Sequence, residues 1–325
     1  MGMSENQLSK EKSTVEQSHF NGLSDNARLD KFVKSLSMAI SHTVNEAILL
    51  NNLEEFLSPK PSKLYSSEEE GQILQTRIDS IVERLGGAPK LIIPVTNSSK
   101  PKYDMFQNAV MYEVITSYQR CRRAICRAHL YFIGSGILHT KPEFIINFNP
   151  EIEENRTLME YTEEAFLEYA ELAYIKLTSY WDRVGQLLDS LFFNIRQYEK
   201  EGFPAVISCI RNNYVPMHKD LLVLSSWVNL DSFSKSEKED GMKWLSHRRN
   251  LIIHSLQLQP AHNNEDDVIL NSEFNHLEKK LREKLSPGNA QEELNRLHGQ
   301  LNSITSLFPD ILNLCEWFLQ KILKK

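Results

Sequence analysis

The chain has 325 residues, which is enough for one large domain or two of ordinary size. Hydrophobic residues make up 41% and charged residues 25%, a balance that permits a buried core and argues against wholesale disorder. Only 12 glycines and 12 prolines are present, which argues against a turn-rich all-β fold. The net charge of −6 argues against binding of nucleic acid by bulk electrostatics, so any such contact needs a local basic patch.

Residues 1–24 are rich in Ser, Asn, Gln and Lys, which predicts disorder, and a helix follows them. From Asp25 onward apolar residues recur at spacings of three and four, which predicts an amphipathic helix that Pro59 and Pro61 end. Its apolar stripe consists of Leu29, Phe32, Val33, Leu36, Ile40, Val44 and Ala47.

Two further helices are predicted in the next part of the chain. The first follows Ser67, carries three glutamates in its first turn and ends at Gly86. Residues 88–102 predict a connector, and the helical period returns over 104–131. Glycines and prolines within 134–153 predict a loop. The core face expected for the first of these helices is Ile73, Leu74, Ile78, Ile81 and Leu85.

The C-terminal half predicts helices separated by glycine and proline. Residues 157–200 form either one very long helix or two nearly collinear ones. Ser234 and Glu237 have the spacing of a capping box, which predicts a helix start at Ser234. The other predicted elements are helices over 204–213, over 217–231, from Ser234 to about Leu256, over 272–284 and over 288–323, with a loop at 257–270.

These elements predict an all-α protein, an antiparallel helical bundle with long helices and additional N-terminal helices. The expected organisation is a disordered polar N-terminus at 1–24, an N-terminal helical region at 25–100 and the bundle at 101–325. The connector at 88–102 is the best candidate boundary, and a single domain is the alternative.

The spacing of the cysteines and the distribution of apolar residues indicate the cellular compartment in which the protein is expected. The polar N-terminus lacks the apolar segment of a signal peptide, and no apolar run reaches membrane-spanning length. The four cysteines show neither CxxC spacing nor the density of a disulfide framework. We therefore expect a cytoplasmic protein with free thiols and no contact with a membrane.

One segment combines residues suited to acid–base and phosphate chemistry. Arg249 is followed directly by Asn250 and, after three apolar residues, by His254. The chain shows no phosphate-binding glycine loop, no HExxH and no nucleophile elbow. Other Arg–His pairs at similar spacing fit less well, because Pro216 interrupts one of them and Ala124 stands at the polar position of the other.

This R-N-x-x-x-H arrangement resembles the motif of the HEPN superfamily, whose members are α-helical bundles found in bacterial ribonucleases, toxins and antiviral systems. The resemblance implies a metal-independent endoribonuclease that needs no cofactor. It assigns proton transfer to His254, phosphate binding to Arg249 and positioning to Asn250. It also implies a homodimer with facing motifs, because HEPN domains commonly pair in that way.

Helix geometry constrains how these residues work together. At about 100° per residue, Arg249 and His254 lie roughly 140° apart around a helix. Asn250 and His254 share a face, and Lys243 and His247 extend it. Either the Arg249 guanidinium curls around the helix or a second subunit completes the site.

Further basic residues are candidates for contacts with RNA. Three lie in the motif segment, and three form a stripe that could bind a phosphate backbone or pair with the glutamates of 151–172. These candidates are Lys243, His247, Arg248, Arg120, Arg123 and Arg127.

The resemblance implies RNA cleavage through a 2′,3′-cyclic phosphate, in a toxin–antitoxin or phage-defence context. The partners it implies are RNA, a second copy of the chain and an antitoxin or defence-system protein. The alternative is a non-catalytic module of the same fold that binds RNA, a nucleotide or a protein, and a third reading is a helical scaffold. No metal site is predicted.

Overall fold

The computed structural model describes residues 25–56, 64–65, 67–86, 103–141, 155–193, 202–254, 276 and 289–323. All regular secondary structure in these residues is helical, which confirms the all-α prediction. The chain divides into two compact units, residues 1–53 and 54–325. The predictions for residues 1–24, 88–102, 257–270 and, apart from residue 276, 272–284 lie outside the described residues.

The described residues contain eight α-helices and one short 3-10 helix. The α-helices are α1 (Asp25–Phe56), α2 (Glu68–Gly86), α3 (Tyr103–Thr140), α4 (Asn155–Phe192), α5 (Phe203–Asn213), α6 (Ser225–Lys235), α7 (Met242–His254) and α8 (Ala290–Leu323). The 3-10 helix spans Lys219–Val223 and precedes α6. None of the described helices is long and apolar enough to cross a membrane.

The first unit contains most of α1, a helix of 32 residues. The predicted apolar stripe lies along it, and its side chains are exposed rather than buried, as Leu29 at 61% and Ile40 at 56% show. Leu50, near the end of the unit, is buried. The period alone could not distinguish a core-facing stripe from an open one.

The second unit is built on two 38-residue helices, α3 and α4, that run antiparallel. The end of α3 meets the beginning of α4 where His139 Nε2 lies 2.8 Å from Glu163 Oε1. The opposite ends meet where Arg183 Nε lies 3.6 Å from Glu113 Oε1. Residues 157–192 therefore belong to one continuous helix, and 194–200 lie outside the described residues.

Helix α8 runs parallel to α4 and closes the core. Its beginning contacts α4 where the Tyr174 hydroxyl donates to Glu293, and its end does so where the Phe192 and Phe318 rings lie 4.5 Å apart. Trp181, fully buried in the C-terminal third of α4, packs against rings of α5 and α6. The bundle thus has α4 as its central helix, in contact with α3, α5, α7 and α8.

The loop predicted over 134–153 is wrong for its first part, because α3 continues to Thr140. Gly134 and Gly136 each cost about 1 kcal/mol in a helix interior. Packing against α4 offsets this cost, since Leu138 is buried and the next residue pairs with a glutamate of α4. Residues 142–153 lie outside the described residues.

The predicted helix start at Ser234 is also wrong. Ser234 is buried inside α6 and its hydroxyl donates to the Asp231 carbonyl oxygen. Glu237 pairs instead with Lys243, and the next helix begins only at Met242. The helix predicted over 217–231 likewise divides into the 3-10 helix and α6. The capping-box spacing failed here because the buried apolar residues of α6 extend that helix past the predicted cap.

Candidate active site

Helix α7 carries the motif and lies on the bundle beside α4. Its beginning is held where the Lys243 backbone N–H donates to the Ser236 carbonyl oxygen at 3.1 Å. Leu245 is fully buried, and the Trp244 ring lies 5.9 Å from the Tyr174 ring of α4. Trp244 is thus half-buried against the core, and the helix is anchored along the face opposite its polar stripe.

The motif residues occupy the last two turns of α7. Arg249 is half-buried as a whole residue, and its Nη1 donates an exposed hydrogen bond to Asn250 Oδ1 at 3.0 Å. The side chain has therefore turned from the apolar side toward the polar stripe, one of the two arrangements that helix geometry left open. His254, one turn beyond Asn250, is the last residue of α7.

Asp182 of α4 lies in the electric field of Arg249. Burial raises the pKa of the Asp182 carboxyl, while a hydrogen bond from the Phe203 backbone N–H and the positive charges of Arg249 and Arg183 act in the opposite direction. The carboxyl oxygen lies close to Gly202, where an added Cβ would come within 2.7 Å of it. The beginning of α5, Asp182 and Arg249 therefore form one polar corner of the bundle.

Arg248, directly before Arg249, has a different environment. Its Nη2 lies 3.1 Å from Oε1 of Glu293, whose side chain is only 4% exposed. Its guanidinium carbon also lies 5.6 Å from the centre of the Tyr174 ring. The Tyr174 hydroxyl donates to the same carboxylate at 2.6 Å. Arg248 is thus a structural residue of the α4–α7–α8 junction.

Arg296 completes the neutralisation of Glu293. Its Nη1 donates to Glu293 Oε1 at 2.8 Å and its Nε to Glu239 Oε1 at 2.8 Å. Its guanidinium lies 6.0 Å above the Trp244 ring. A buried carboxylate is costly unless it is paired and hydrogen-bonded, and Glu293 has two arginines and one hydroxyl as partners. This network fixes α7 relative to α8.

The remaining polar residues of α7 are at its surface. Lys243 Nζ lies 3.0 Å from Glu237 Oε1, and His247 is exposed. Of the six accessory candidates, these two share the polar stripe of Asn250, as the sequence predicted, and Arg248 does not.

The basic stripe of α3 lies on a different helix from the motif. Arg120 pairs with Glu113 of its own helix at 3.1 Å. The Arg127 guanidinium lies 5.7 Å from the Tyr169 ring of α4. Arg123 is exposed and has no ion pair among the described residues.

Other reactive side chains lie within the bundle. His129 Nδ1 and His298 Nε2 are 3.2 Å apart, and burial, with a smaller effect of the His298 charge, lowers the pKa of His129 to about 4. Cys121, Cys126 and Cys315 are buried free thiols, as predicted, and Cys209 is half-buried. Within the described ranges, no group of three or more His, Cys, Asp or Glu residues is placed to hold a metal ion.

Sequence reasoning missed Asp182 and Glu293. For Glu293 a signal existed, because it shares a stripe of α8 with the buried Leu297, Gln300 and Ile304, at spacings of four, three and four. A carboxylate on a core-facing stripe predicts a buried partner. Asp182 had no such signal, since only the return of the chain at Gly202 brings α5 beside it.

Comparison of the chain with family models, with curated proteins and with solved structures found no match.

Proposed function

We propose that the chain is a HEPN-type, metal-independent endoribonuclease that cleaves RNA through a 2′,3′-cyclic phosphate, in a toxin–antitoxin or phage-defence setting. The observation that supports this best is the contrast between two adjacent arginines. Arg248 is held by the buried Glu293, whereas Arg249 turns toward Asn250 and has no ion-pair partner among the described residues. The motif arginine is therefore the one suited to a ligand.

The reaction needs three groups at the scissile phosphate. A base removes the proton of the ribose 2′-hydroxyl, whose oxygen attacks phosphorus and forms the cyclic phosphate. An acid gives a proton to the departing 5′-oxygen as the P–O5′ bond breaks. A cation stabilises the negative charge on the phosphorane oxygens.

Each motif residue has a chemistry that suits one of these tasks. Histidine titrates near neutral pH, so His254 is assigned to proton transfer. Arginine keeps its charge and offers a planar fork that matches phosphate oxygens, so Arg249 is assigned to the phosphate. Asn250 Oδ1 accepts a hydrogen bond from Arg249, so Asn250 is assigned to positioning the guanidinium.

The position of Arg249 favours this assignment. Its hydrogen bond to Asn250 lies at an exposed site, where phosphate oxygens can compete for the same N–H groups. Asp182 adds negative charge nearby, which opposes the approach of a phosphate unless the carboxyl is protonated or screened. The positive charges of Arg249 and Arg183 and the Phe203 backbone N–H offset part of this negative charge.

A second proton-transfer group is needed, because one histidine cannot serve as base and acid at once. The facing motif of a second subunit would supply it, and the HEPN resemblance implies such a homodimer. The same resemblance suggests control by an antitoxin or another defence-system protein.

The test is cleavage of total tRNA and a mixed RNA pool in EDTA by the wild type, Arg249→Ala and His254→Ala. Cleavage by the wild type is expected, with a loss of at least 100-fold in each variant. The exposed His276 supplies the matched control, since His276→Ala removes a histidine outside the motif and should leave the rate unchanged. Equal cleavage by wild type and His254→Ala would refute the assignment. RNA binding without cleavage would favour the non-catalytic module.

A further inference from the structure

Helix α1 carries a second pattern, in addition to amphipathicity. Seven of its residues follow one another at spacings of four and three without interruption, which is the a/d pattern of a coiled-coil heptad. The a positions are Val33, Ile40 and Ala47, and the d positions are Leu29, Leu36, Thr43 and Leu50.

The heptad face is open along most of its length. All six a and d residues from Leu29 to Ala47 are exposed, with Leu29 at 61% and Val33 at 56%. Five exposed aliphatic side chains and one threonine over the 19 residues from Leu29 to Ala47 form a hydrophobic surface of the kind that marks an interaction site.

Thr43 is the one polar residue among these seven positions, and its hydroxyl is satisfied within the helix. Thr43 Oγ1 donates to the Ala39 carbonyl oxygen one turn earlier at 2.8 Å. Burial of Thr43 in an interface would therefore leave no hydroxyl without a partner. The a and d residues of α1 can therefore be buried together in an interface that excludes water, which we call the seam.

The residues that flank the a and d positions are also compatible with a seam that excludes water. The basic side chains Arg28, Lys31 and Lys34 fall at the c, f and b positions, away from it. In a parallel pair a g residue faces the e residue five positions on in the partner. Phe32 would then face Ser37, and Ala39 would face Val44; the like-charged pair of Asp25 with Asp30 falls at the beginning of α1, beside Leu29.

We propose that α1 forms a parallel, two-stranded coiled coil with α1 of a second copy of this chain. Two copies match because β-branched residues at a with leucine at d favour two parallel strands, and Val33, Ile40, Leu29 and Leu36 follow this rule. The seam from Leu29 to Leu50 spans three heptads, about 32 Å at 1.5 Å per residue, and Leu50 at its end is already buried within a single chain.

This inference is independent of the proposed ribonuclease. It concerns the first unit, and the facing-motif dimer concerns α7 of the second. The test must therefore identify which surface joins the two copies. The molecular mass of a dimer would not distinguish a contact through α1 from a contact through α7.

Disulfide crosslinking of the full chain identifies the surface. Val33→Cys places a thiol in the seam, and Met38→Cys, at an f position, places one on the far side of the same helix. Both are made in a Cys209→Ser background, since the other native thiols are buried. In an antiparallel pair centred on the seam two Val33 residues would be about 20 Å apart, too far for a disulfide, which needs Cα atoms within about 7 Å.

The expected result is a disulfide-linked dimer from Val33→Cys at least tenfold more abundant than from Met38→Cys. Adding Ile40→Lys should abolish it, while Met38→Lys, which adds the same charge outside the seam, should preserve it. Equal crosslinking at the two positions, no crosslinking at Val33, or crosslinking that survives Ile40→Lys would overturn the proposal. RNA cleavage can fail or succeed in the same preparations without affecting this readout.

Discussion

Replacing Arg248 and Arg249 by alanine, one at a time, tests whether adjacent residues of the same type have different tasks. Arg248→Ala removes an ion pair to a carboxylate that is 4% exposed, together with the contact to the Tyr174 ring. Removing one partner of a buried pair costs about 3–5 kcal/mol. Because Arg296 and the Tyr174 hydroxyl still neutralise Glu293, we expect a loss nearer to about 2 kcal/mol.

Arg249→Ala removes one hydrogen bond to the exposed Asn250 and a positive charge that acts on Asp182 without a direct ion pair. An exposed contact of this kind contributes less than about 0.5 kcal/mol to stability. Urea unfolding followed by tryptophan fluorescence measures both variants, and Arg248→Ala should also melt about 5 °C lower than the wild type. A loss for Arg249→Ala as large as that for Arg248→Ala would refute the division of tasks.

Two further predictions concern packing and pH. A Cβ at Gly185 would lie 2.9 Å from the Phe203 backbone, so Gly185→Ala should lower the free energy of unfolding by about 2 kcal/mol. A Cβ at Gly299 would have nothing within 4 Å, so Gly299→Ala should raise the free energy of unfolding by about 0.5–1 kcal/mol. Similar urea midpoints for the two variants would contradict this. The pKa of His129 falls from 6.5 to about 4 on folding, so the unfolded chain binds more protons between these values and stability decreases as the pH falls through that window. His129→Gln should reduce the loss of unfolding free energy between pH 7 and pH 4.5 by about 1–2 kcal/mol after solvent screening, and an unchanged pH profile would contradict the assignment.

The periodicity of the sequence predicted the helices of the bundle well where helix stops coincide with glycine or proline. Gly86 ended α2 as expected, and Pro204 lies in the first turn of α5. The predictions failed where packing outweighs local preference. Gly134 and Gly136 lie inside α3 because α4 packs against it, and Ser234 is buried in α6 instead of capping α7.

The candidate site shows a similar division. The sequence placed Arg249 and Asn250 on α7 and left open how the guanidinium could reach the polar face. The bond to Asn250 and the field at Asp182 depend on the packing of α7 and α5 against α4, which no local pattern encodes. For the same reason, the buried role of Arg248 could not be separated from a role in RNA binding.

The end groups of the cleavage products test the proposed function most directly. An end-labelled RNA is incubated with the full chain in EDTA, and the products are compared with those of Arg249→Ala and His254→Ala. We expect 2′,3′-cyclic phosphate and 5′-hydroxyl ends from the wild type, and almost no product from either variant. Products with 3′-hydroxyl and 5′-phosphate ends, or equal cleavage by all three proteins, would contradict it.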